Sequence, residues 1–431
     1  MHPGLIFTAE WERLDEGTTE ERACFAAVGI QCNGHWLTEG RDGFVNRIRT
    51  EPLLSGYHLA EWMAWNWWRL RWEPRSSVHD WVFAHRMTTI GHGYVWPNIT
   101  IYSDGERTAL IARPTEDRSE TAFRYISSYA AIVPSQTFEN AADRFIEQVV
   151  GQLQAEGLNE TNLNHVWAEV VNERQDHSVA QRRKLEAILG YDPDEGDQSE
   201  IDRLAADALS LGEQAVEELA AEHATGGEFL TADGLRSIAH HSGFAASIRD
   251  AVRLETATRL PSARDVPAWR LGAEAARALR AQESLGVGSI SDKRLAGLAG
   301  TGEQAITTNR AAKGIAFALD QNESRGCVVF KSPRKANRRF ELARLLGDRI
   351  VNPPYGKLHV ATRAVTYRQQ MQRSFAAELL SPFEVVDQMM EGDYSSEKRE
   401  EVAERFFVSE LTIRTMLVNH KRLDREELEA A

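Results

Sequence analysis

The chain has 431 residues, of which 42% are hydrophobic and 26% are charged, and its formal net charge at pH 7 is -14. This length and composition allow two or three buried cores, so the chain needs no disulfide bonds or structural metals to fold. The negative charge disfavours non-specific nucleic-acid binding by the chain as a whole. Because no run of about 18 apolar residues and no secretion-signal pattern is present, we expect a cytoplasmic protein that does not span a membrane.

The chain has three cysteines, Cys24, Cys32 and Cys327, which lie in apolar segments typical of strands. None of them belongs to a CxxC pair or lies near a histidine at the spacing of metal ligands. This pattern fits a reducing compartment. It gives no reason to expect a metal or another cofactor.

Residues 1–130 predict an α+β domain. The sequence ITIYSDGERTALI at 99–111 predicts a β-hairpin, because Asp104-Gly105 is a favoured turn pair between strand-forming arms. A helix is expected at about 58–72, and it ends before Pro74 because proline disfavours helical backbone in the residue that precedes it. This helix contains five of the 11 tryptophans.

The tryptophan-rich helix is apolar on more than one side. One side is expected to pack on the sheet of the same domain. The other side carries Trp65, Trp68 and Trp72, which we interpret as an interface with a partner protein or another domain. The two basic residues between these tryptophans are too few for a membrane-surface helix.

Residues 131–258 predict a helical middle domain. Ser135 is a candidate cap for its first helix, and apolar residues then recur at helical spacing. Similar periodicity predicts further helices at about 161–189, 199–223 and 231–256. The proline-containing segment 260–267 reads as a linker into the last domain.

Several motifs in residues 259–431 occur in a recognisable order: PAWRLGAEAARALR at 267–280, ISDKRL at 290–295, RFELARLLGD at 339–348, FAAELLSP at 375–382 and VAERFFVS at 402–409. This order resembles the ImmA/IrrE family of zinc metallopeptidases. The resemblance implies a mainly helical, zincin-like domain with a small sheet and a helix-turn-helix-like tail. The segment 339–348 is similar to the family's zinc motif, RFxLAHExGH.

The zinc-binding residues themselves are replaced. Zinc hydrolysis needs two imidazoles one helical turn apart and a carboxylate that accepts a proton from the metal-bound water. The resemblance places Arg344 and Asp348 at the two histidine positions, Leu345 at the glutamate position and Met371 at the expected third ligand. We therefore predict a degenerate site without zinc or catalytic activity.

Two interpretations of the degenerate site remain open. Glu341, Arg344 and Asp348 lie at i, i+3 and i+7 of one helix, so Arg344 is predicted to bridge the two carboxylates in place of a metal. Alternatively, Asp348, His359 and Glu378 form a rebuilt metallopeptidase site with non-standard ligands. One acid and one distant histidine make a poor zinc site, so we prefer the first interpretation.

The segment 331–373 is strongly basic, with eleven Lys and Arg residues against two acidic residues. Such a segment is a candidate site for DNA, RNA or an acidic protein surface, including the chain's own acidic middle domain, and the alternative is an ordinary solvated face. The candidate anion-binding residues are Lys331, Arg334, Lys335, Arg338, Arg339, Arg363, Arg368 and Arg373.

The carboxyl-terminal segment has the apolar spacing of a helix-turn-helix, with Ser409 as the cap of its second helix. Arg414, His420, Lys421 and Arg422 are placed where such a motif contacts nucleic acid. In the family that the chain resembles, this module often only completes the fold.

Three functions follow from these patterns. The first is an inactive ImmA/IrrE-like pseudo-peptidase that binds a protein partner or regulates one, which the resemblance links to prokaryotic stress response and phage defence. The second is a nucleic-acid-binding regulator that uses residues 331–373 and the terminal helix pair. The third is a metallopeptidase with non-standard ligands. The sequence leaves the oligomeric state open.

Overall fold

A computed structural model describes residues 4–76, 78, 80–116, 122–255, 258–322, 324–352 and 357–424. The chain divides into two compact units, Met1–Ile201 and Asp202–Ala431. Both contain helices and antiparallel sheets, which confirms the predicted α+β, multidomain class. No helix in the described ranges combines the length and the apolar content needed to cross a membrane.

The first unit contains ten strands and seven helices within its described residues. The strands are β1 (Leu5–Trp11), β2 (Phe25–Cys32), β3 (His35–Trp36), β4 (Gly40–Asp42), β5 (Arg47–Arg49), β6 (Leu53–Ser55), β7 (Asn98–Ser103), β8 (Arg107–Arg113), β9 (Phe123–Tyr125) and β10 (Tyr129–Pro134). The helices are α1 (Thr19–Ala23), α2 (Gly56–Trp65), α3 (Trp67–Trp72), α4 (Trp81–His85), α5 (Ser135–Ala155), α6 (Asn162–Gln175) and α7 (His177–Leu189).

Three antiparallel sheets organise the first unit. Their strand orders are β1-β2-β3 with β6 also paired to β2, β10-β8-β7, and β5-β4-β9. Strands β7 and β8 form the predicted hairpin, and Asp104 donates its amide to the Arg107 carbonyl at 3.0 Å across the turn. Gly105 has a φ of +104°, which favours glycine at this turn position. The hairpin prediction is therefore confirmed.

The predicted tryptophan-rich helix forms as two helices, α2 and α3, which meet at Asn66. Trp68 is buried, and its indole nitrogen donates a hydrogen bond to Glu173 of α6 at 2.8 Å. The Lys184 ammonium of α7 lies 3.9 Å from the ring centroid of Trp72. Only Trp65 of the three predicted interface tryptophans is exposed, at 53%. Helices α6 and α7, which lie in the segment predicted as the middle domain, therefore cover Trp68 and Trp72, and of the three tryptophans only Trp65 is left for a partner protein.

The predicted middle domain does not form a separate compact unit. Helices α5, α6 and α7 contribute to the same apolar core as β1 and β2, and the rings of Phe7 and Phe145 lie 5.8 Å apart. Ser135 is the first helical residue rather than the cap, and its hydroxyl contacts the hydroxyls of Ser103 and Thr108 instead. The division at 1–130, 131–258 and 259–431 thus differs from the two compact units.

Helix α8 (Gln198–Leu211) begins in the first unit and ends in the second. The other helices of the second unit are α9 (Glu213–Ala224), α10 (Ala232–Ser242), α11 (Ala268–Gln282), α12 (Asp292–Leu298), α13 (Gln304–Thr307), α14 (Lys335–Val351), α15 (Tyr367–Leu380), α16 (Phe383–Met390), α17 (Ser396–Phe406) and α18 (Glu410–Asn419). Its strands are β11 (Phe244–Ala251), β12 (Ala299–Thr301), β13 (Ala316–Asn322), β14 (Arg325–Val329) and β15 (Leu358–Ala361).

The five strands form one antiparallel sheet in the order β12-β11-β14-β13-β15. Strand β11 lies within the segment 231–256 that was predicted to be helical, so that prediction is wrong beyond Ser242. Phe244 pairs with Val328, and its side chain joins the apolar core of the second unit. Cross-strand pairing therefore overrides the local helical periodicity here.

Helix α15 packs closely against α11 and α14 because glycines face it. A methyl group placed on Gly272 of α11 would lie 2.3 Å from the Met371 carbonyl oxygen, and one on Gly347 of α14 would lie 2.5 Å from the Phe375 ring. Such distances are far below normal carbon contacts. The two glycines therefore allow the three helices to approach and fix the position of α14, which carries the segment 339–348.

Candidate degenerate metal site

Asp348 lies at the centre of a closed polar network in the second unit. It is fully buried and accepts two hydrogen bonds from Arg368, at 2.7 and 2.5 Å. His359 of β15 donates through Nδ1 at 2.7 Å, and the Asn352 amide donates at 3.0 Å. Asp348 is therefore held by protein donors from three directions.

The charges around Asp348 keep it ionised. Burial alone would raise its pKa, but the nearby Arg368 charge and the hydrogen bonds from Arg368 and His359 outweigh burial and hold the pKa well below its usual range. On the other side of His359, the Asp320 carboxylate lies 3.8 Å from Nε2, and Arg349 donates to Asp320 at 2.5 Å. The network thus alternates acidic and basic groups.

The predicted bridge by Arg344 does not form. Arg344 donates through Nη2 to the Thr362 carbonyl at 2.7 Å and to the Gln369 side-chain oxygen at 2.5 Å. Glu341 instead accepts hydrogen bonds from the backbone amides of Lys331 and Ser332. The helical spacing permits Arg344 to bridge Glu341 and Asp348. In the structure, these side chains form hydrogen bonds with groups from neighbouring loops and from α15 instead.

The residues at the expected zinc positions do not fit a zinc ion. Leu345 and Met371 are buried in the apolar core, and Asp348 is saturated by Arg368, His359 and Asn352. In the described residues, no group of three His, Cys, Asp or Glu side chains is arranged to hold a metal. Asp348 and His359 do meet, as the rebuilt-site hypothesis requires, but Glu378 pairs with Arg277 instead. The positive charge of Arg368, which pairs with Asp348, also repels a divalent cation at this position.

The basic segment 331–373 does not form one continuous solvent-facing patch. Arg338 and Arg339 are buried, and Arg338 donates to the carbonyls of Ile306 and Pro333. Arg339 pairs with Asp292 and donates to the Ile290 carbonyl. These two arginines hold loops of the unit against the start of α14.

The remaining candidate anion-binding residues divide into two groups. Lys331, Arg334, Lys335 and Arg363 are exposed, whereas Arg368 and Arg373 are largely covered. Lys335 also pairs with Asp292 at 2.6 Å, and Arg363 pairs with Glu222 at 3.2 Å. Part of the positive charge therefore satisfies buried carbonyls and carboxylates, and the pair with Glu222 joins Arg363 to an acidic residue of the segment predicted as the middle domain.

The terminal helix pair forms as predicted, with Ser409 capping α18 through its hydroxyl. Three of its candidate contact residues, Arg414, His420 and Arg422, have partners within the unit, and Lys421 is exposed. Arg422 forms a bidentate pair with Asp387, at 2.9 and 2.6 Å, and Arg414 lies 3.7 Å from Glu410. The ring of His420 stacks on Phe383 at 3.5 Å between centroids. Helix packing thus accounts for these positions.

A cavity of about 400 Å³ lies beside the degenerate motif. Four helices, α11, α14, α15 and α18, contribute side chains to its wall. The charged lining residues are Glu341, Arg344, Arg373 and Glu378, and His420 also lines it. Large apolar side chains come from Trp269, Phe340, Leu411 and Met416. The sequence analysis did not single out Trp269, which lines the cavity, or Gln369, which accepts a hydrogen bond from Arg344. Both roles depend on tertiary contacts that the local sequence does not show.

No family model, curated protein or solved structure matches this chain. The family resemblance of the last third of the chain therefore rests on the motifs quoted above. The geometry of the second unit has to carry the functional argument.

Proposed function

We propose that the second unit is an inactive ImmA/IrrE-like pseudo-peptidase, which binds a regulatory protein partner without cleaving it. One observation carries this proposal: the side chain at the second histidine position, Asp348, is ion-paired and fully buried. A catalytic zinc site needs an open coordination position for water or substrate. The Asp348 network is instead closed by Arg368, His359 and Asn352.

The absence of a general base supports the same proposal. Leu345, at the expected glutamate position, has no group that accepts a proton from water. Glu378 is the acidic residue of α15, but it accepts hydrogen bonds from Arg277 and from the Phe383 amide. Burial raises the pKa of Glu378, against the opposing charge of Arg277. Its two oxygen atoms are therefore engaged in fixing α11 and α16.

A role in prokaryotic stress response or phage defence is part of the proposal and comes from the resemblance alone. The nucleic-acid alternative receives less support, because Arg338 and Arg339 are committed to the interior. Substitutions that neutralise these two arginines would damage the fold, so they cannot be used to test the salt dependence of nucleic-acid binding. Arg334 and Lys331, which are exposed, are the appropriate residues to change.

The proposal is tested by incubating the protein with a mixed peptide library and added Zn²⁺. Cleavage products are then identified by mass spectrometry. The full chain should cleave no more than a matched Asp348→Asn variant. Cleavage by the wild type that disappears in this variant would contradict the proposal. A protein that crosslinks to the second unit should in addition be recovered at its full length.

A further inference from the structure

The cavity beside α14 contains two arginines whose charges are not neutralised by direct ion pairs. Neither Arg344 nor Arg373 forms an ion pair with a carboxylate in the described part of the chain. Arg344 is only 9% exposed and lines the cavity. A buried charge without a direct counterion is costly, so an anion in this cavity would stabilise both side chains.

The hydrogen bonds of the two arginines leave donors available. Arg344 uses only Nη2, and its Nε and Nη1 have no hydrogen-bond partner among the described residues. Arg373 donates to the carbonyls of Ala364 at 3.0 Å and Thr362 at 3.5 Å. Burial and the adjacent charge of Arg373 lower the pKa of Arg344 to about 9, so it is still protonated at neutral pH.

The other ionisable groups of the wall are already engaged or neutral. Glu341 accepts from two backbone amides at Oε2, and Glu378 pairs with Arg277. Burial lowers the pKa of His420, which favours the neutral imidazole at pH 7. The two carboxylates therefore have charged or amide partners, whereas Arg344 and Arg373 hydrogen-bond only to neutral oxygens and interact with carboxylates only at longer range.

One part of the wall is apolar, although polar side chains such as Asn337, Gln370 and Thr412 also line the cavity. Trp269 of α11, Phe340 of α14 and Met416 of α18 all line the cavity. Its volume falls in the range of pockets that take small molecules, roughly 300–1,000 Å³. A planar carboxylate matches the geometry of a guanidinium group better than a spherical anion does.

We propose that this cavity binds a small organic acid, whose carboxylate contacts Arg344 and Arg373 and whose apolar body packs on Trp269, Phe340 and Met416. The site is built from side chains of one unit and goes beyond the pseudo-peptidase function. It does not depend on the family resemblance.

Calorimetric titration of the full chain with a panel of aromatic and aliphatic carboxylic acids, including 3-phenylpropionate, tests this inference. At least one acid should bind with a Kd below about 1 mM. The matched neutral amide, 3-phenylpropanamide, should bind at least about tenfold more weakly, because it cannot pair with the two charges. If no acid binds, or if the acid and its amide bind equally, the inference is overturned.

Three variants locate the binding. Ala336→Phe fills the cavity from the first turn of α14 without removing an arginine contact, and it should abolish binding. Arg373→Gln should weaken binding about tenfold or more, whereas Arg422→Gln, outside the cavity, should leave it unchanged. Circular dichroism checks that each variant folds. Acid binding that survives Ala336→Phe in a folded protein, or inorganic phosphate binding as tightly as the acid, would contradict the proposed site.

Discussion

Replacing Arg368 with methionine removes the positive charge that compensates the buried Asp348 carboxylate. Arg368 supplies two of the four hydrogen bonds that Asp348 accepts, and Asp348 has no solvent access. Removing one partner of a buried ion pair lowers the free energy of unfolding by about 3–5 kcal/mol, because the remaining charge is buried without compensation. We expect a loss of stability of this size in the region of α14, β15 and α15.

Hydrogen–deuterium exchange of peptides from α14 and α15 is the appropriate assay, since a chain with two compact units need not unfold in one step. The expected loss corresponds to amide exchange that is more than about a hundredfold faster in the variant. The control is Arg422→Met, which breaks a bidentate pair of the same geometry between Arg422 and Asp387 at the surface. Its effect should be far smaller, because water solvates both charges.

The pH dependence adds a second test. The pKa of Asp348 lies below its unfolded value, so its stabilising contribution is present at neutral pH and is lost only as the pH falls towards the folded pKa. Without Arg368, burial raises the pKa of Asp348, and protonation then relieves the uncompensated charge. The difference between variant and wild type should therefore shrink from pH 7 towards pH 4. Equal exchange in both proteins at pH 7 would refute the role of the pair.

Further predictions concern packing and titration. Gly347→Ala should destabilise the second unit by about 1–3 kcal/mol in thermal denaturation, whereas Gly297→Ala, where the new methyl group meets no atom, should not destabilise it. Burial raises the pKa of Glu218 to about 7, so the folded state keeps a proton that the unfolded chain releases near pH 4. Stability should fall as the pH rises between these values, and Glu218→Gln should flatten the fall. Trp68→Phe, which loses a buried hydrogen bond, should lower the melting temperature more than Trp65→Phe.

Local signals in the sequence predict part of this fold well. The β7–β8 hairpin follows from the turn preference of Asp104-Gly105, and Ser409 caps α18 as its residue type predicts. In both cases the determining contacts lie within a few residues. The strand β11 could not be predicted this way, because it depends on pairing with Val328, far along the chain.

The candidate site shows the same limit. The spacing of Glu341, Arg344 and Asp348 on α14 predicts the wrong partners. Arg344 bonds to Gln369, and Asp348 bonds to Arg368, which lies 20 residues away. Charge counting likewise cannot separate an anion-binding arginine from one that satisfies buried carbonyls.

Zinc analysis of the purified, untagged chain tests the central claim most directly. The protein is incubated with excess Zn²⁺, passed through a desalting column and measured for metal per chain, with Asp348→Ala as the matched control. We predict no stoichiometric zinc in either protein, because Asp348 is held by Arg368 and His359. One zinc per wild-type chain that is lost in the control would contradict the claim that this site is a closed polar network.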